Sequence, residues 1–257
     1  MPTPFRLAQL SDLHLTGVVG EDKSYTDFLA VLQLAKSQRP HALLLTGDLV
    51  NDGLNAGYDW LFTTLKNIDL PFFTLAGNHD VTHEHNSHLP FHLRHFSPLK
   101  KDDRLAECQR HLIGNWQLLL LNSAIAGKTH GTLTEASFDW LNNTLSAHTE
   151  PAVIALHHPP KKVGSAWIDA YRLENGDRLY ALLSTHPHAK VILTGHVHQA
   201  HTLTGSPTLY TCPATSRQFL PFFDEFALDN VPAGFRCLYF YDNGTHHSEI
   251  FRLNSPK

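Results

Sequence analysis

The sequence predicts a layered α/β domain built on two sheets, and three observations support this. Short apolar runs alternate with segments whose apolar residues recur at helical spacing. Most of these runs are apolar without interruption, as expected for parallel strands that are buried on both faces. The C-terminal end instead shows two strand-like segments around a tight turn. No repeat or low-complexity linker divides the 257 residues, so we predict one domain over residues 1–257.

The first part of the chain repeats the order strand, helix, strand. The strand candidates are Phe5–Leu10, residues 42–45 and residues 72–76. Helical spacing between them is shown by Phe28, Val31, Leu32 and Ala35, and then by Trp60, Leu61, Thr64, Leu65 and Ile68. Helices that separate buried apolar runs indicate largely parallel strands.

The same pattern returns after residue 117. The strand candidates are residues 118–121, 152–156 and 191–193, with helical spacing at Thr134, Ser137, Phe138, Leu141 and Leu145 and at Leu179, Leu182 and Leu183. Residues 236–241 and 246–253 flank Asp242-Asn243-Gly244, which predicts a β-hairpin within a C-terminal segment spanning 213–257. Residues 83–101 look irregular and carry five histidines, namely His83, His85, His88, His92 and His95, so we predict an insertion that can act as a lid.

Charge and cysteine content limit the functional class. Lys plus Arg number 20 and Asp plus Glu number 24, so the formal net charge is −4. A mildly acidic chain provides no overall field that favours nucleic acid or an anionic membrane, and we expect neither as a partner. Cys108, Cys212 and Cys237 are too few and too scattered for a disulfide framework, so we expect free thiols. With no signal-peptide pattern and no apolar run near the roughly 18 residues of a membrane span, we expect a cytoplasmic protein.

Potential metal ligands follow five of the apolar runs. They are Asp12 with His14, Asp48, Asn78 with His79, His157, and His196 with His198. Because the carboxyl ends of strands in open α/β sheets form the ligand-binding crevice, these side chains should share one rim. Carboxylate, amide and imidazole donors without thiolates suit Mn, Fe, Zn or Co. Seven or eight donors are too many for one four-coordinate ion, so we predict two ions about 3.5–4 Å apart, with Asp48 as the natural bridge.

The five motifs, taken together, resemble those of the calcineurin-like metallophosphoesterase superfamily. They are Asp12-x-His14, Gly47-Asp48, Gly77-Asn78-His79-Asp80, His157 and Gly195-His196-x-His198, in the same order and at similar spacing over essentially the whole chain. The resemblance implies a four-layer α/β/β/α sandwich with a dinuclear site. The ligand sets it implies are Asp12, His14, Asp48 and His198 for one ion, and Asp48, Asn78, His157 and His196 for the other. It further implies that His79 is a non-ligand histidine facing the leaving oxygen.

Hydrolysis of a phosphodiester is the reaction that this arrangement predicts. Two divalent or trivalent ions lower the pKa of a bridging water and stabilise charge on the phosphorus oxygens, so a metal-bridging hydroxide can attack in line. His79 then donates a proton to the leaving alkoxide. The residues expected to hold the phosphate are His14, Asp48, Asn78, His79 and His198. Iron and manganese are the expected ions, with zinc and cobalt as alternatives.

Two departures narrow the choice within the superfamily. Residues Asn51-Asp52-Gly53 stand where related protein phosphatases carry Asp-Arg-Gly, so the phosphate-gripping Arg of that branch is missing. His79 stands where a lipid-precursor pyrophosphatase branch carries Arg. Both departures argue against those branches.

The C-terminal tail is similar to the class III cyclic-AMP phosphodiesterases of bacteria. Residues 213–219, Asp229-Asn230 and residues 232–236 carry this similarity. We therefore expect hydrolysis of 3′,5′-cyclic AMP to 5′-AMP, with the lid and Phe219, Phe222 and Phe223 as walls that can stack on the base. Two alternatives stay open: a broader phosphodiesterase acting on glycerophosphodiesters or nucleotide diesters, and a non-catalytic scaffold that binds a partner protein. The sequence leaves the oligomeric state open.

Overall fold

Two mixed β-sheets form the centre of the computed structural model, which describes residues 3–90 and 93–254 without the side chain of Asp52. The strands are β1 Phe5–Leu10, β2 Ala42–Thr46, β3 Phe72–Leu75, β4 Thr82–His85, β5 His95–Pro98, β6 Cys108–Ile113, β7 Trp116–Leu121, β8 Ala152–Ala155, β9 Ala189–Thr194, β10 Thr202–Leu203, β11 Thr208–Thr211, β12 Gln218–Phe219, β13 Leu228–Asp229, β14 Gly234–Phe240 and β15 His246–Arg252. The helices are α1 Lys23–Ser37, α2 Asn55–Lys66, α3 Glu135–Ala147, α4 Ala166–Asp169 and α5 Gly176–Ser184.

The order of strands brings the same ends of both sheets to one edge of the molecule. The first sheet has the order β15-β14-β1-β2-β3, in which β1, β2 and β3 are parallel. The second sheet has the order β10-β11-β9-β8-β7-β6, in which β7, β8, β9 and β11 are parallel. Parallel strands end at the same edge, so the loops after β1, β2, β3, β8 and β9 are neighbours.

Burial of both faces of each sheet explains why the strand runs are apolar without interruption. On β2, Leu43 and Leu45 pack with helices α1 and α2, while Ala42 and Leu44 face the second sheet. The second sheet repeats this arrangement, since Ile154 packs with α3 and α5 while its neighbour Val153 faces the first sheet. One apolar layer therefore lies between helices α1 and α2 and the first sheet, a second lies between the two sheets, and a third lies between the second sheet and helices α3 and α5. The predicted four-layer α/β/β/α sandwich is confirmed.

The helices begin and end close to the predicted positions. Thr134 caps α3 by accepting a hydrogen bond from the backbone N–H of Ser137 at 3.1 Å, as its place before an apolar helical face indicates. Helix α1 begins at Lys23, five residues before Phe28, the first residue of the predicted apolar face, because its first turn is mostly polar. None of the helices in the described part of the chain combines the length and apolar character that a membrane crossing requires.

Residues 83–101 are more regular than the sequence suggests. Strands β4 and β5 pair antiparallel, with Thr82 opposite Pro98 and His85 opposite His95. The prediction of an irregular segment was wrong here, because alternating histidines hide the strand pattern. His92 lies outside the described residues, as do the ends of the predicted domain 1–257 and of the C-terminal segment 213–257.

Candidate metal centre

The seven predicted ligands lie together on the rim where the two sheets meet. The first sheet supplies Asp12, His14, Asp48 and Asn78, and the second supplies His157, His196 and His198. Three short distances join the two groups: His198 Nε2 to Asp12 Oδ1 at 3.4 Å, His157 Nε2 to Asp48 Oδ2 at 3.4 Å, and His196 Nδ1 to Asn78 Oδ1 at 3.1 Å. The rim is therefore built from both sheets.

Asp48 lies in the middle of this cluster. Its Oδ2 atom is 3.7 Å from His14 Nε2 and 3.4 Å from His157 Nε2. Asp48 also belongs to two sets of potential ligand atoms that lie within 4.8 Å of one another, one with Asp12 and His157 and one with His14 and His79. A single carboxylate thus faces imidazoles on both sides, which is the position a bridging ligand needs.

Hydrogen bonds fix the orientation of three imidazole rings. The Nδ1–H groups of His157 and His198 donate to the backbone carbonyls of Thr46 and Arg217, each at 2.7 Å. His14 Nδ1–H donates to Asn51 Oδ1 at 2.8 Å. A carbonyl oxygen only accepts, so in the neutral rings the proton is on Nδ1 and the lone pair is on Nε2. Metal-ligating histidines have the same arrangement.

The Nε2 atoms of these three rings, and that of His196, have no suitable hydrogen-bond donor in the protein. His14 Nε2 and His198 Nε2 face each other at 3.1 Å, although each carries a lone pair in the neutral ring. His157 Nε2 and His196 Nε2 are buried without a hydrogen-bond partner. A buried acceptor without a donor costs roughly 1–3 kcal/mol, and a cation between such atoms removes that cost. The donor set therefore fits transition-metal ions.

Electrostatics hold Asp48 ionised and His14 neutral, which are the states these two residues need as ligands. Burial opposes ionisation of Asp48, but His157 and His79 outweigh it and hold the pKa of the Asp48 carboxyl well below its ordinary value. Burial, reinforced by His79, lowers the pKa of His14 to about 4. At neutral pH the site thus presents a carboxylate and a neutral imidazole side by side. His157 differs, because burial lowers its pKa but the nearby Asp48 carboxylate outweighs burial and raises the pKa to about 9.

Backbone strain is concentrated at the same residues. Nine non-glycine residues in the described ranges have positive φ, and five of them are predicted ligands: Asp12 (54°), His14 (49°), Asp48 (50°), His196 (70°) and His198 (51°). Each such residue costs about 1–2 kcal/mol and persists only where neighbouring contacts enforce it. Backbone hydrogen bonds supply this constraint, since Asp12 N–H donates to Gly47 O at 3.0 Å and His14 N–H donates to Asp48 O at 2.9 Å.

Close approach of neighbouring loops requires glycine at two positions. Gly47 has φ +92°, and a Cβ atom there would lie 2.7 Å from the backbone nitrogen of Gly77. A Cβ atom on Gly77 would in turn overlap the side chain and backbone of Asp48. The glycines in Gly47-Asp48 and Gly77-Asn78 are thus needed because the loops after β2 and β3 are in contact.

Asp80 holds these two loops together from below. Its carboxylate is fully buried and accepts hydrogen bonds from the backbone N–H groups of Leu49 (3.1 Å), Val50 (3.1 Å) and Gly77 (2.8 Å) and from Tyr58 Oη–H (2.6 Å). Burial, together with the nearby Asp48 carboxylate, raises the pKa of Asp80 to about 6. Asp80 therefore fixes the distance between the Asp48 loop and the Asn78 loop.

His79 differs from the other site histidines in its surroundings. Its backbone N–H donates to Asp48 Oδ1 at 2.8 Å, and its ring lies edge-on to the His14 ring at 4.8 Å. The side chain is half-buried and lines an open cavity. This cavity has two arms of about 670 Å³ each, which share His14, His79 and His198 in their lining.

Sequence reasoning missed three supporting groups. Asn51 and the carbonyl of Arg217 orient His14 and His198, and only the tertiary structure brings them there. His158 is the third group: it is fully buried, its Nδ1 lies 2.9 Å from Ser123 Oγ, and its Nε2–H donates to the Thr129 carbonyl at 3.2 Å. Since both of its ring nitrogens are bonded, His158 supports the site and has no nitrogen left for a metal.

Comparison with known proteins agrees with this geometry. The family model of the calcineurin-like phosphoesterases matches residues 5–200, a range that contains all seven predicted ligands. The chain belongs to this family. The calcineurin-like phosphoesterase fold is also found in a dimetal phosphatase from Danio rerio, with a TM-score of 0.63, 15% identity and 94% coverage of both chains.

Two relatives of this calcineurin-like phosphoesterase match almost the whole chain. A probable cyclic nucleotide phosphodiesterase from Moraxella catarrhalis is 47% identical over 253 residues, which cover 96% of this chain and 91% of the relative. The 3′,5′-cyclic adenosine monophosphate phosphodiesterase CpdA of Escherichia coli K12 is 32% identical over 260 residues, which cover 96% of this chain and 90% of the relative. Both matches extend well past residue 200 into the tail.

Asp80→Ala tests the link between the two loops. The change leaves four buried donors without an acceptor, so we expect the free energy of unfolding to fall by about 3 kcal/mol and the metal content to fall with it. Asp103→Ala is the control, because the Asp103 side chain is 85% exposed and pairs with Lys100 at the surface. Thermal unfolding and elemental analysis measure the two effects. Equal stability of both variants would contradict the role of Asp80.

Proposed function

We propose that this calcineurin-like phosphoesterase hydrolyses 3′,5′-cyclic AMP to 5′-AMP at a two-metal centre. The observation that carries the proposal is the agreement between the clustering of all seven predicted ligands and whole-chain similarity to cyclic nucleotide phosphodiesterases. A family member that serves only as a scaffold has no need for buried, unpaired imidazole nitrogens. The complete set therefore favours an enzyme over the non-catalytic alternative.

The ligand assignment divides the cluster into two halves that share Asp48. Asp12, His14 and His198 would hold one ion with Asp48, and Asn78, His157 and His196 would hold the other. When bound, two such ions lower the pKa of coordinated water and stabilise charge that develops on the phosphorus oxygens. Iron and manganese are the proposed ions, with zinc and cobalt compatible with the same oxygen and nitrogen donors.

The chain itself positions the phosphate. His14, Asp48, Asn78, His79 and His198 surround the floor of the cavity, and most of them have backbone conformations fixed by the neighbouring loops. The backbone N–H of His79 donates to Asp48 Oδ1, which anchors the residue that carries the imidazole ring. This hydrogen bond keeps the imidazole beside the phosphate, where it can donate a proton to the departing O3′.

The walls of the cavity support a substrate larger than phosphate. The described part of the proposed lid, residues 83–90 and 93–101, contributes Glu84, Pro90 and Arg94 to the cavity lining. The tail contacts the site directly, since Thr215 N–H donates to Ser11 O at 3.0 Å and Ser216 Oγ–H donates to Asp12 O at 2.8 Å. The part of the sequence that is similar to class III phosphodiesterases therefore borders the ligands.

The substrate proposal is tested by product analysis. Protein reconstituted with Mn or Fe is incubated with 3′,5′-cyclic AMP, and the products are separated by chromatography. We expect 5′-AMP, because a water oxygen adds to the phosphorus while His79 protonates O3′, so the P–O3′ bond breaks and the 5′ ester remains. If cyclic AMP survives while glycerophosphoethanolamine or linear nucleotide diesters are cleaved rapidly, the broader phosphodiesterase replaces this proposal.

Asp48→Ala tests the bridging role. Both ions would lose a charged ligand, so we expect elemental analysis to find neither ion, whereas His14→Ala should mainly deplete one. Asp48→Asn is the matched variant, because Asn tolerates positive φ and keeps the shape while removing the charge. Retention of two ions in the Asp48 variants would rule out the bridge.

His79→Ala tests the proton donor. We expect full metal content but a rate of cyclic AMP hydrolysis that is lower by roughly 10²–10⁴. The loss should be much smaller with bis(p-nitrophenyl) phosphate, since p-nitrophenolate leaves without protonation. The control is His88→Ala, which changes an exposed histidine of the proposed lid. Equal losses on both substrates would be incompatible with the acid role.

A further inference from the structure

A continuous series of aromatic rings leads from the metal centre along one arm of the cavity. Phe219 stacks on His198, with ring centroids 3.9 Å apart and planes only 8° from parallel. Phe226 then contacts Phe219 at 5.5 Å and Trp167 at 5.2 Å. Although it has these neighbours, Phe226 is 60% exposed. The exposed part of this large aromatic ring lies at the edge of the cavity, where a ligand can contact it.

The segment that carries Phe226 is fixed to the site. Strands β12 and β13 pair antiparallel, and Leu220 N–H donates to Ala227 O at 2.9 Å to extend the ladder towards the tip. At the base of this hairpin, Gln199 Nε2–H donates to Phe219 O at 2.6 Å. The neighbouring carbonyl of Arg217 accepts from His198. The aromatic rings thus keep a defined position relative to a proposed metal ligand.

The structure separates the aromatic residues that sequence reasoning grouped together. Phe219 lines both arms of the cavity, as predicted. Among the described residues, however, Phe222 and Phe223 do not contribute to either arm, and Phe222 instead lies against the His201 ring at 5.5 Å. Their predicted role as walls was wrong, because the hairpin turns these two side chains away from the ligands. Phe226, which no sequence motif singles out, lines both arms instead.

The two arms of the cavity differ in chemistry. Phe219 and Phe226 line both arms, and one arm adds Trp167, Ile168 and Tyr171 to them. The other arm extends towards polar and charged groups that include Lys23, Asp27, Ser216 and Arg217. A flat nucleobase matches the first arm, since stacking on aromatic rings supplies affinity through contact area that does not depend on hydrogen bonding.

We propose that Phe226, supported by Trp167 and Phe219, is the platform on which the substrate's nucleobase stacks. This inference rests on the proposed function, since it assigns the base of a cyclic nucleotide to the aromatic arm while the phosphate occupies the centre. Phe226 thereby determines specificity for nucleotides over diesters that lack a base. It takes no part in proton transfer or metal binding.

Two ligands that differ only in the base test this role directly. Calorimetry on the metal-loaded full chain compares 5′-AMP with ribose 5-phosphate, which keeps the sugar and the phosphate. We expect wild type to bind 5′-AMP more tightly, and Phe226→Ala to reduce the ratio of the two affinities roughly five- to fifty-fold. Phe226→Trp should preserve the ratio, because it keeps an aromatic surface. In steady-state assays, Phe226→Ala should raise KM for cyclic AMP and leave kcat unchanged.

Phe223→Ala is the matched control, because Phe223 belongs to the same hairpin and is 46% exposed but lies outside the cavity lining. The proposal is overturned if wild type binds the two ligands equally, or if Phe223→Ala and Phe226→Ala change the affinity ratio to the same extent. Failure of the proposed function gives a different result. In that case cyclic AMP is not hydrolysed, while the affinity ratio and its loss in Phe226→Ala still report on the platform.

Discussion

The constraint on which this structure depends is the left-handed backbone of the residues that carry its functional side chains. Asp12, His14, Asp48, His196 and His198 leave their strands at positive φ, where an L-residue is strained. This conformation turns each side chain back over the end of the sheet, so that groups from three loops converge. The strain persists because adjacent loops are joined by backbone hydrogen bonds and by the buried Asp80 carboxylate. Rigid apolar layers on both sides of each sheet keep those loops in place.

Polar groups buried between the sheets connect the two halves of the site. Gln9 Nε2–H donates to Thr194 O at 3.0 Å, which joins a strand of the first sheet to a strand of the second. Close to this bond, His196 N–H donates to the Asp12 carboxylate at 3.0 Å. Hydrogen bonds of this kind are directional, whereas apolar packing alone tolerates sliding of one sheet on the other. These hydrogen bonds therefore fix the relative position of the two sheets beside the predicted ligands.

Much of this site could be predicted from sequence, because its functional residues follow directly after buried strands along the chain. A buried strand that ends in Gly-Asp or Gly-Asn-His identifies its functional residues by position, and β1 was located at Phe5–Leu10 as the structure has it. The groups that sequence reasoning missed act through distant chain segments. Examples are Asn51, which reaches His14, and Phe226, whose direction depends on the turn of its hairpin. Strand β6 was missed for another reason: it is a partly exposed edge strand in which polar residues interrupt the apolar pattern.

The hydrogen bond between the Arg217 carbonyl and His198 bears on how the protein is made. In the proposed assignment each ion needs ligands from both sheets. One ion would be held by Asp12 from the first sheet and His198 from the second, and the other ion by Asp48 from the first sheet and His196 from the second. At about 5–20 residues per second, a ribosome needs on the order of 10–40 s to proceed from the first of these ligands to the last. The segment that orients His198 is synthesised later still. Under this assignment, a nascent chain that has not yet reached residue 217 carries half-sites with incomplete coordination, and neither ion would be fully coordinated before these later residues are made.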